Sequence, residues 1–293
     1  MVIGSDWHIH SHHSCDQAAL RMADLIREAA PNGVTDFGIT DHIHTPFNRP
    51  DIVASRLEFE GVRDNPRFHF GVEASCVSRW EIEEIARGGH LNPVYGLRTG
   101  GPPGCELAIA LTAEDITELG IEYVIGGTHW PMYVPLERHA VIHDYHRQNM
   151  FLATHPLVDI VAHPWWWHGG WEDAQHNLSA EPWFDDFTCI PESMHDEFAA
   201  AAIEHGKKVE VNLNAILLNP HYPEGFKLQY LVYLAKLKDR GVRLVLGSDC
   251  HAPHYTVGFE RAARMLETAG FVENDFWVFP PRATGHSNGR RTG

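Results

Sequence analysis

Cysteine is scarce and scattered in this chain. The 293 residues include five cysteines, and no two of them form a CxxC pair. They are Cys15, Cys76, Cys105, Cys189 and Cys250. An odd and dispersed set argues against a disulfide framework and against a structural zinc site built from thiolates. We therefore predict reduced thiols in a cytoplasmic protein.

Long apolar runs and an excess of basic charge are also missing. No apolar run approaches the ~20 residues of a membrane-spanning helix, and no basic-then-apolar segment opens the chain as a secretion signal would. Lys and Arg number 23 against 39 Asp and Glu, which gives a formal net charge of -16. Because this charge repels polyanions, neither nucleic acid nor a membrane is expected as a main partner.

Histidine, by contrast, is abundant, with 22 residues. His8 and His10 are the first pair, and residues two apart on a strand point their side chains to the same face. A neutral imidazole is the commonest protein ligand of transition metals. Two surface histidines on a polar strand would give the same pattern, so the other ligands must come from elsewhere in the chain.

Strand and helix patterns alternate along the sequence and predict an α/β fold. The predicted strands are 2–3 with 7–9, then 34–39, 67–72, 122–127, 158–162, 208–212 and 242–246. The predicted helices are 18–30, 46–62, 137–154, 193–205 (with Ser193 as N-cap), 227–240 and 258–269. Seven such units favour a distorted (β/α)7 barrel, although a doubly wound open sheet shares the alternation. We expect one domain over 1–279 and a disordered tail over 280–293.

The position of the polar residues favours the barrel. Candidate metal ligands follow nearly every predicted strand, and a barrel brings the carboxyl ends of its strands into one ring. They are His8, His10, Asp16, His42, Glu73, His129, His163, Asp249 and His251. Nitrogen and carboxylate ligands without cysteine suit Zn, Mn or Fe, and bridging carboxylates would let this set hold two or three divalent ions.

Two stretches interrupt the rhythm on the same side of the predicted barrel. Residues 86–107 are rich in Gly and Pro, and residues 164–192 are rich in Trp. Both leave from the carboxyl ends of strands, so they are predicted to be a lid and a pocket wall. An ordinary surface insertion packed by its own aromatic side chains is the alternative for each.

A family resemblance follows from the order of these motifs. The chain carries HxH (His8, His10), TDH (Thr40, Asp41, His42), GxE (Gly71, Glu73), a strand-end His129, HP (His163, Pro164) and SDxH (Ser248, Asp249, His251). This order resembles the PHP (polymerase and histidinol phosphatase) family over about residues 5–260. The opening HxHSHxSxD resembles its histidinol-phosphatase branch.

The resemblance implies a trinuclear metal site. One ion would be held by His8, His10, Glu73 and Asp249, a second by Glu73, His129 and His163, and a third by Asp16, His42 and His251. His12 and His13 flank Asp16 and compete with it for that role. Asp41 is expected to orient a ligand ring.

The resemblance also implies a metal-dependent phosphoesterase that hydrolyses a small phosphorylated metabolite by attack of a metal-bound hydroxide. Histidinol phosphate is the leading candidate, which would place the protein in histidine biosynthesis. Glu73, Asp249 and His251 are the predicted catalytic residues. Arg79, Arg98, Trp165, His168 and His254 are the predicted substrate-binding residues, and for each an ordinary surface or packing role is the alternative.

Three other functions stay open at this point. Cyclic phosphates and phosphodiesters are substrate types of the same family. An amidohydrolase also begins with HxH, but its binuclear members commonly carry a lysine at the end of the fourth strand, where this chain has Gly126, Gly127, Thr128 and His129. A metal-binding scaffold or polymerase accessory module is disfavoured by the acidic charge and by the complete ligand set.

Overall fold

Parallel strands and helices alternate and form a nearly closed barrel, which confirms the predicted fold class. The computed structural model describes residues 1–91, 93–167, 183 and 185–282. The strands are β1 Ser5–Asp6, β2 Asp36–Ile39, β3 His42–Ile43, β4 Phe68–Ser75, β5 Val77–Ser78, β6 Leu107–Ala108, β7 Tyr123–Gly127, β8 Ile160–Ala162, β9 Lys208–Asn212 and β10 Arg243–Gly247. The barrel order is β1-β2-β4-β7-β8-β9-β10, with β3 beside β4, while β5 and β6 form a separate antiparallel ribbon.

The first and last barrel strands meet along the segments that carry predicted ligands. Trp7 N donates to Leu246 O at 2.9 Å, and Asp249 N donates to His8 O at 2.7 Å. The buried Asp6 carboxylate adds a side-chain link, because its Oδ1 accepts from Ser248 N at 2.7 Å. These bonds bring the two ends of the sheet together, so the carboxyl ends of all seven barrel strands surround one space.

The helices cover the outside of the sheet. They are α1 Met22–Ala29, α2 Arg49–Val62, α3 Arg79–Arg87, α4 Ala113–Leu119, α5 Arg138–Thr154, α6 Glu192–Glu204, α7 Glu224–Asp239 and α8 Phe259–Thr268. Two of them, α3 and α4, were not predicted, although Ser78 and Thr112 cap their first turns. The predicted N-cap at Ser193 was wrong, because Pro191 holds that position and the helix starts directly after it.

Strand β4 is longer than predicted, which changes the setting of Glu73. The sequence pattern ended this strand at Val72, whereas the structure continues it to Ser75. The extension is paired on both sides, since Glu73 is in register with His42 of β3 and with Ile125 of β7. Glu73 therefore lies within the sheet and not in the loop after it.

An aromatic cluster fills the barrel on the amino side of the predicted ligands. Trp7, Tyr123, Ile125 and Val245 are among its buried members, and Phe279 packs against them. The Phe279 ring lies 4.7 Å from the Trp7 ring, centroid to centroid. Because Trp7 and Val245 precede His8 and Asp249 along the chain, this cluster forms an apolar floor under the candidate ligands.

The end of the chain is described only up to residue 282. Arg282 Nε donates to Phe68 O at 2.8 Å, so the start of the predicted tail is attached to β4. Residues 283–293, the rest of that predicted tail, lie outside the described residues. Among the described helices, none combines the length and apolarity that crossing a bilayer requires.

The floor of the barrel depends on the absence of a side chain at Gly71. A Cβ atom there would lie 2.6 Å from Tyr123 Cζ, and that ring is fixed by a hydrogen bond from Tyr123 OH to Trp7 O. Gly71→Ala should therefore lower the free energy of unfolding by about 1–3 kcal/mol through overpacking, as measured by urea denaturation. Gly61→Ala on α2, where nothing lies within 4 Å, is the control and should leave stability unchanged or raise it. Equal effects of the two substitutions would contradict this packing argument.

Candidate metal centre

The Glu73 carboxylate lies at the middle of the carboxyl end of the barrel and is fully buried. Its Oε2 is 3.1 Å from His8 Nε2 and 2.8 Å from His42 Nδ1. Its Oε1 is 3.1 Å from both His129 Nε2 and His163 Nε2. Both oxygens of one buried carboxylate thus face ring nitrogens from four different segments, an arrangement that a bare negative charge in a protein interior requires.

His8 and His10 bring two ring nitrogens to one side of this carboxylate. His8 Nε2 lies 3.0 Å from His10 Nε2, and these atoms lie 3.1 and 3.5 Å from Glu73 Oε2. Asp249 Oδ1 is 3.5 Å from His8 Nε2 and 3.2 Å from His10 Nε2. Bonds of ~2.0–2.2 Å in a tetrahedron separate the ligand atoms by roughly 3.3–3.6 Å, so these pairs are close to the spacing of ligands on one zinc-sized ion.

A second group surrounds Asp16 at the other side of His10. Asp16 Oδ2 is 3.2 Å from His42 Nε2 and also contacts His251 Nε2. Its Oδ1 is buried and has no hydrogen-bond partner among the described atoms. His42 connects the two groups, because its Nε2 contacts Asp16 and its Nδ1 faces Glu73. The contact from Nδ1 to Glu73 does not have the angle of a hydrogen bond. A buried oxygen and a nitrogen without hydrogen-bond partners fit metal ligation better than a hydrogen-bonded network.

The structure brings all the sequence-predicted ligands together. Their ligand atoms fall into overlapping groups within 4.8 Å: His10, Asp16, His42, His251; His8, Glu73, His163; His8, His10, Asp249; and His42, Glu73, His129. Shared members such as Glu73 and His10 suit a centre with more than one ion. The assignment of each residue to one ion stays a prediction.

The electrostatics of the carboxylates reflect these neighbours. Burial alone would raise the pKa of Glu73, but His42, His8 and His129 hold it well below its usual range. Burial would likewise raise the pKa of Asp249, and His8 with His10 holds it well below its ordinary value. Both carboxylates are therefore ionised at neutral pH and available to a cation.

The histidines divide into two classes. Burial, with nearby His251 and His42, lowers the pKa of His10 to about 3. Burial also lowers the pKa of His129 to about 4. The opposite holds for His8, where burial alone would lower the pKa but Glu210 and Glu73 hold it well above its ordinary value. Neutral rings such as those of His10 and His129 have the protonation state that metal ligation needs.

Two ligands sit on left-handed backbone at strand ends. His163 has φ 25 and Asp249 has φ 56, a region that costs non-glycine residues free energy. Each residue follows its barrel strand directly or within two positions, β8 for His163 and β10 for Asp249. Backbone strain thus coincides with two candidate ligand positions at strand ends.

Glu210 belongs to the site and was missed by the sequence analysis. It is 1% exposed, and its Oε1 is 2.6 Å from His8 Nδ1. Its Oε2 accepts a hydrogen bond from His163 N at 2.8 Å. The available signal was a carboxylate in the middle of the predicted strand 208–212, since charged residues are almost never fully buried unless paired.

Further polar residues also support the ligands. Asn212 Nδ2 donates to Glu210 Oε2 and to Asp249 Oδ2, both at 3.1 Å. Ser75 Oγ lies 2.8 Å from His129 Nδ1 and 2.6 Å from His44 Nδ1. Ser75 is on β4 and His129 follows β7, so no sequence motif links the two residues.

The expectation that Asp41 orients a ligand ring was wrong. Its carboxylate accepts from Ser11 N and Ser11 Oγ, both at 2.6 Å, and so fixes the loop between His10 and Asp16. The loop turns at Ser11, which brings its backbone N–H and hydroxyl onto the carboxylate.

The predicted substrate-binding residues do not lie together in one place. His168 lies outside the described residues. Arg79 Nε is 2.8 Å from Glu106 Oε1 on the β5–β6 ribbon. Trp165 is buried and packs against the Trp183 ring at 5.5 Å. His254 is 71% exposed, with its Nδ1 at 3.6 Å from the Glu28 carboxylate. None of these three contacts involves a residue of the Glu73 groups.

Arg98 lies at the rim of the Glu73 groups. Its guanidinium carbon is 4.7 Å from the centroid of the Trp130 ring, which lies 5.8 Å from the His129 ring. On the other side, the Trp166 ring lies 5.1 Å from the His163 ring. Of the consecutive tryptophans, Trp166 and not Trp165 thus borders the site.

The segment that carries Arg98 is tied down at two points. Leu97 N donates to Glu81 Oε1 at 2.7 Å, and Tyr133 OH donates to Glu81 Oε2 at 3.2 Å. Burial raises the pKa of Glu81 to about 7. Tyr95 OH donates to Cys15 O at 2.9 Å, next to Asp16. These bonds hold part of the Gly/Pro-rich insertion against the site.

Several known proteins resemble this chain in sequence or in structure. A probable phosphatase of Acetivibrio thermocellus is 25% identical over 266 residues, which cover 89% of this chain and 85% of the relative. A solved amidohydrolase superimposes with a TM-score of 0.36 at 13% identity, covering 89% of this chain and 68% of that one. A Xanthomonas albilineans dihydropteroate synthase gives a TM-score of 0.34 at 13% identity, over 93% of this chain and 96% of that one. Neither likeness carries an argument about function. The PHP domain model matches residues 6–175, more than half of the chain, and the protein therefore belongs to the PHP domain family.

Proposed function

We propose that this protein is a metal-dependent phosphoesterase that hydrolyses a small phosphorylated metabolite, with histidinol phosphate as the leading candidate. The observation that carries the proposal is the buried Glu73 carboxylate, whose two oxygens face ring nitrogens of His8, His42, His129 and His163. Membership in the PHP domain family and a relative named as a probable phosphatase support the same chemistry.

The proposed cofactors are two or three divalent ions, Zn, Mn or Fe, held as the motifs predict. Bound ions of this kind acidify water and neutralise the charge that develops on a phosphoryl group. Glu73 Oε2 contacts His8 Nε2 and Glu73 Oε1 contacts His129 Nε2, so Glu73 is the residue that would connect two ions. Asp249 and His251 close the same rim from the segment after β10.

Glu210 acts through His8. With an ion bound, a proton on Nδ1 shared with Glu210 would leave the lone pair of His8 Nε2 directed toward Glu73 and His10. Ser75 is placed to do the same for His129 from the Nδ1 side. Both residues are positioning residues, because their contacts are with ligand rings.

The rim indicates how a small phosphoester would be held. Arg98 supplies a guanidinium, which suits a phosphate geometrically and electrostatically. The half-buried Trp166 borders the His129 and His163 rings with an apolar face, which suits a planar group such as an imidazole. A positive group and an aromatic face near these histidines match a phosphate attached to a small ring.

Two alternatives differ in what they need from this rim. A cyclic phosphate or a phosphodiester would use the same ligands with a second ester group toward the rim. An amidohydrolase with a bridging lysine would need a side chain at the end of β7. There a Cβ atom on Gly127 would lie 2.7 Å from Glu73 Oε1, which leaves no room for one.

The first test is a substrate screen with the metal-loaded protein. Histidinol phosphate, nucleotide monoesters, cyclic phosphates, diesters, amides and lactones should be compared by released phosphate or product. We expect phosphomonoester turnover, and His8→Ala should lower both bound metal and rate, the rate by more than about 100-fold. His139→Ala on the exposed side of α5 is the control. Turnover of amides or lactones alone, or a fully active His8→Ala protein, would refute the proposal.

The second test concerns Glu210. Glu210→Gln keeps the shape but removes the negative charge beside His8, so zinc affinity should fall by about 10–100-fold in a chelator competition titration. Glu210→Asp, which keeps the charge, should recover part of the loss. Glu260→Gln, at a 94% exposed side chain, is the control. Unchanged zinc affinity in Glu210→Gln would show that this contact does not prepare His8 for ligation.

The third test separates the two predicted arginines. Arg98→Met keeps the apolar contact with Trp130 but removes the charge, so kcat/KM for a phosphomonoester should fall about tenfold or more, mainly through KM. Arg79→Met is the comparison, because Arg79 pairs with Glu106 on the ribbon. A larger loss in Arg79→Met would move the phosphate-binding position away from Arg98.

A further inference from the structure

A separate group of possible ligands lies on the loop that follows β1. His12 and His13 lie on this loop, and Glu58 comes from α2. Glu58 Oε2 is 2.8 Å from His13 Nε2 and 3.5 Å from His12 Nδ1. One ligand atom from each residue lies within 4.8 Å of the other two. The sequence analysis had these histidines competing with Asp16, whereas the structure turns both toward α2.

Each member of this group is fixed by a second contact. His12 N donates to Leu20 O at 2.9 Å, and His13 N donates to Ser11 Oγ at 3.2 Å. Glu58 Oε1 accepts from Met22 N at 3.1 Å, which leaves Oε2 for the two rings. These contacts fix the backbone of His12 and His13 and one oxygen of Glu58, so the three side chains start from defined positions.

We propose that His12, His13 and Glu58 form a Zn²⁺ site distinct from the Glu73 groups. Two imidazoles and one carboxylate with a fourth, open position are an established zinc ligand set. The 3.5 Å from Glu58 Oε2 to His12 Nδ1 falls within the roughly 3.3–3.6 Å expected between ligand atoms on one such ion, and the 2.8 Å to His13 Nε2 is shorter than that range. The side chains are 37%, 22% and 23% exposed, so water reaches the fourth position.

An ordinary surface ion pair explains this arrangement less well. A single protonated histidine would satisfy Glu58 Oε2, yet two rings converge on it with centroids 4.1 Å apart.

The site would act on the loop that carries Asp16. Asp41 holds Ser11 from inside the barrel, and zinc at His12, His13 and Glu58 would fasten the same loop to α2 from outside. Asp16, at the end of this loop, then keeps its contacts with His42 and His251. This inference does not rest on what the Glu73 groups catalyse.

Zinc stoichiometry tests the inference. Metal-stripped protein is dialysed against Zn²⁺ and analysed for bound metal. Glu58→Gln, which retains an oxygen for Met22 N, and His13→Asn should each lower bound zinc by about one equivalent per chain. The matched control is His139→Asn/His143→Asn, an exposed pair with rings 4.3 Å apart that no third ligand atom joins among the described residues. Wild-type stoichiometry in Glu58→Gln, or an equal loss in the control, would overturn the site.

Two further measurements locate the bound ion. Anomalous diffraction at the zinc edge should give a peak bounded by the three side chains, also in His8→Ala, where zinc at the Glu73 groups is reduced. Amide hydrogen exchange of residues 11–16 should slow when zinc is added to wild type but less so in Glu58→Gln. A map with zinc only at the Glu73 groups would overturn the proposal and leave the proposed function intact.

Discussion

The buried negative charge of Glu73 is the constraint on which the rest of this molecule depends. A carboxylate in a protein interior is tolerated only where opposite charge or polar partners compensate it. Here the compensation comes from histidines on four separate segments, and these can take their places only if the barrel closes. Closure in turn depends on the joint between the first and last strands, where Asp249 N donates to His8 O. Fold and site are thus one structural problem.

The apolar floor and the strained turns both contribute to positioning the candidate ligands. Trp7 and Tyr123 fill the barrel below His8 with buried aromatic rings, so the candidate ligands rest on an apolar floor. The left-handed backbone at His163 and Asp249 costs free energy, and the packed sheet on either side repays it. The result is a rigid ring of donors, which lowers the reorganisation that metal or substrate binding would otherwise require.

The sequence predicted the fold and the convergence of the candidate ligands because two independent patterns coincide. Strand periodicity gave the carboxyl ends, and metal-ligating residue types fell at those ends. It missed Glu210 because a single carboxylate between two valines is also typical of a strand with one face exposed to solvent. It named Trp165, whereas Trp166 borders His163; the positive φ of both His163 and Trp165 ends the strand pattern there, so the sequence does not mark which of these rings lies at the site. Ser75 touches His129 only through folding, so no local pattern marks it.

The residues behind the ligands explain why the site is more than a list of metal-binding side chains. The His8 ring lies between Glu210 on one nitrogen and Glu73 on the other, so its orientation is set twice. Asn212 then joins Glu210 to Asp249, which extends the same network across to the strand that closes the barrel. A change at one member alters the charge felt by the others, because the interior screens charges weakly. Effects of substitutions within this network should therefore be non-additive.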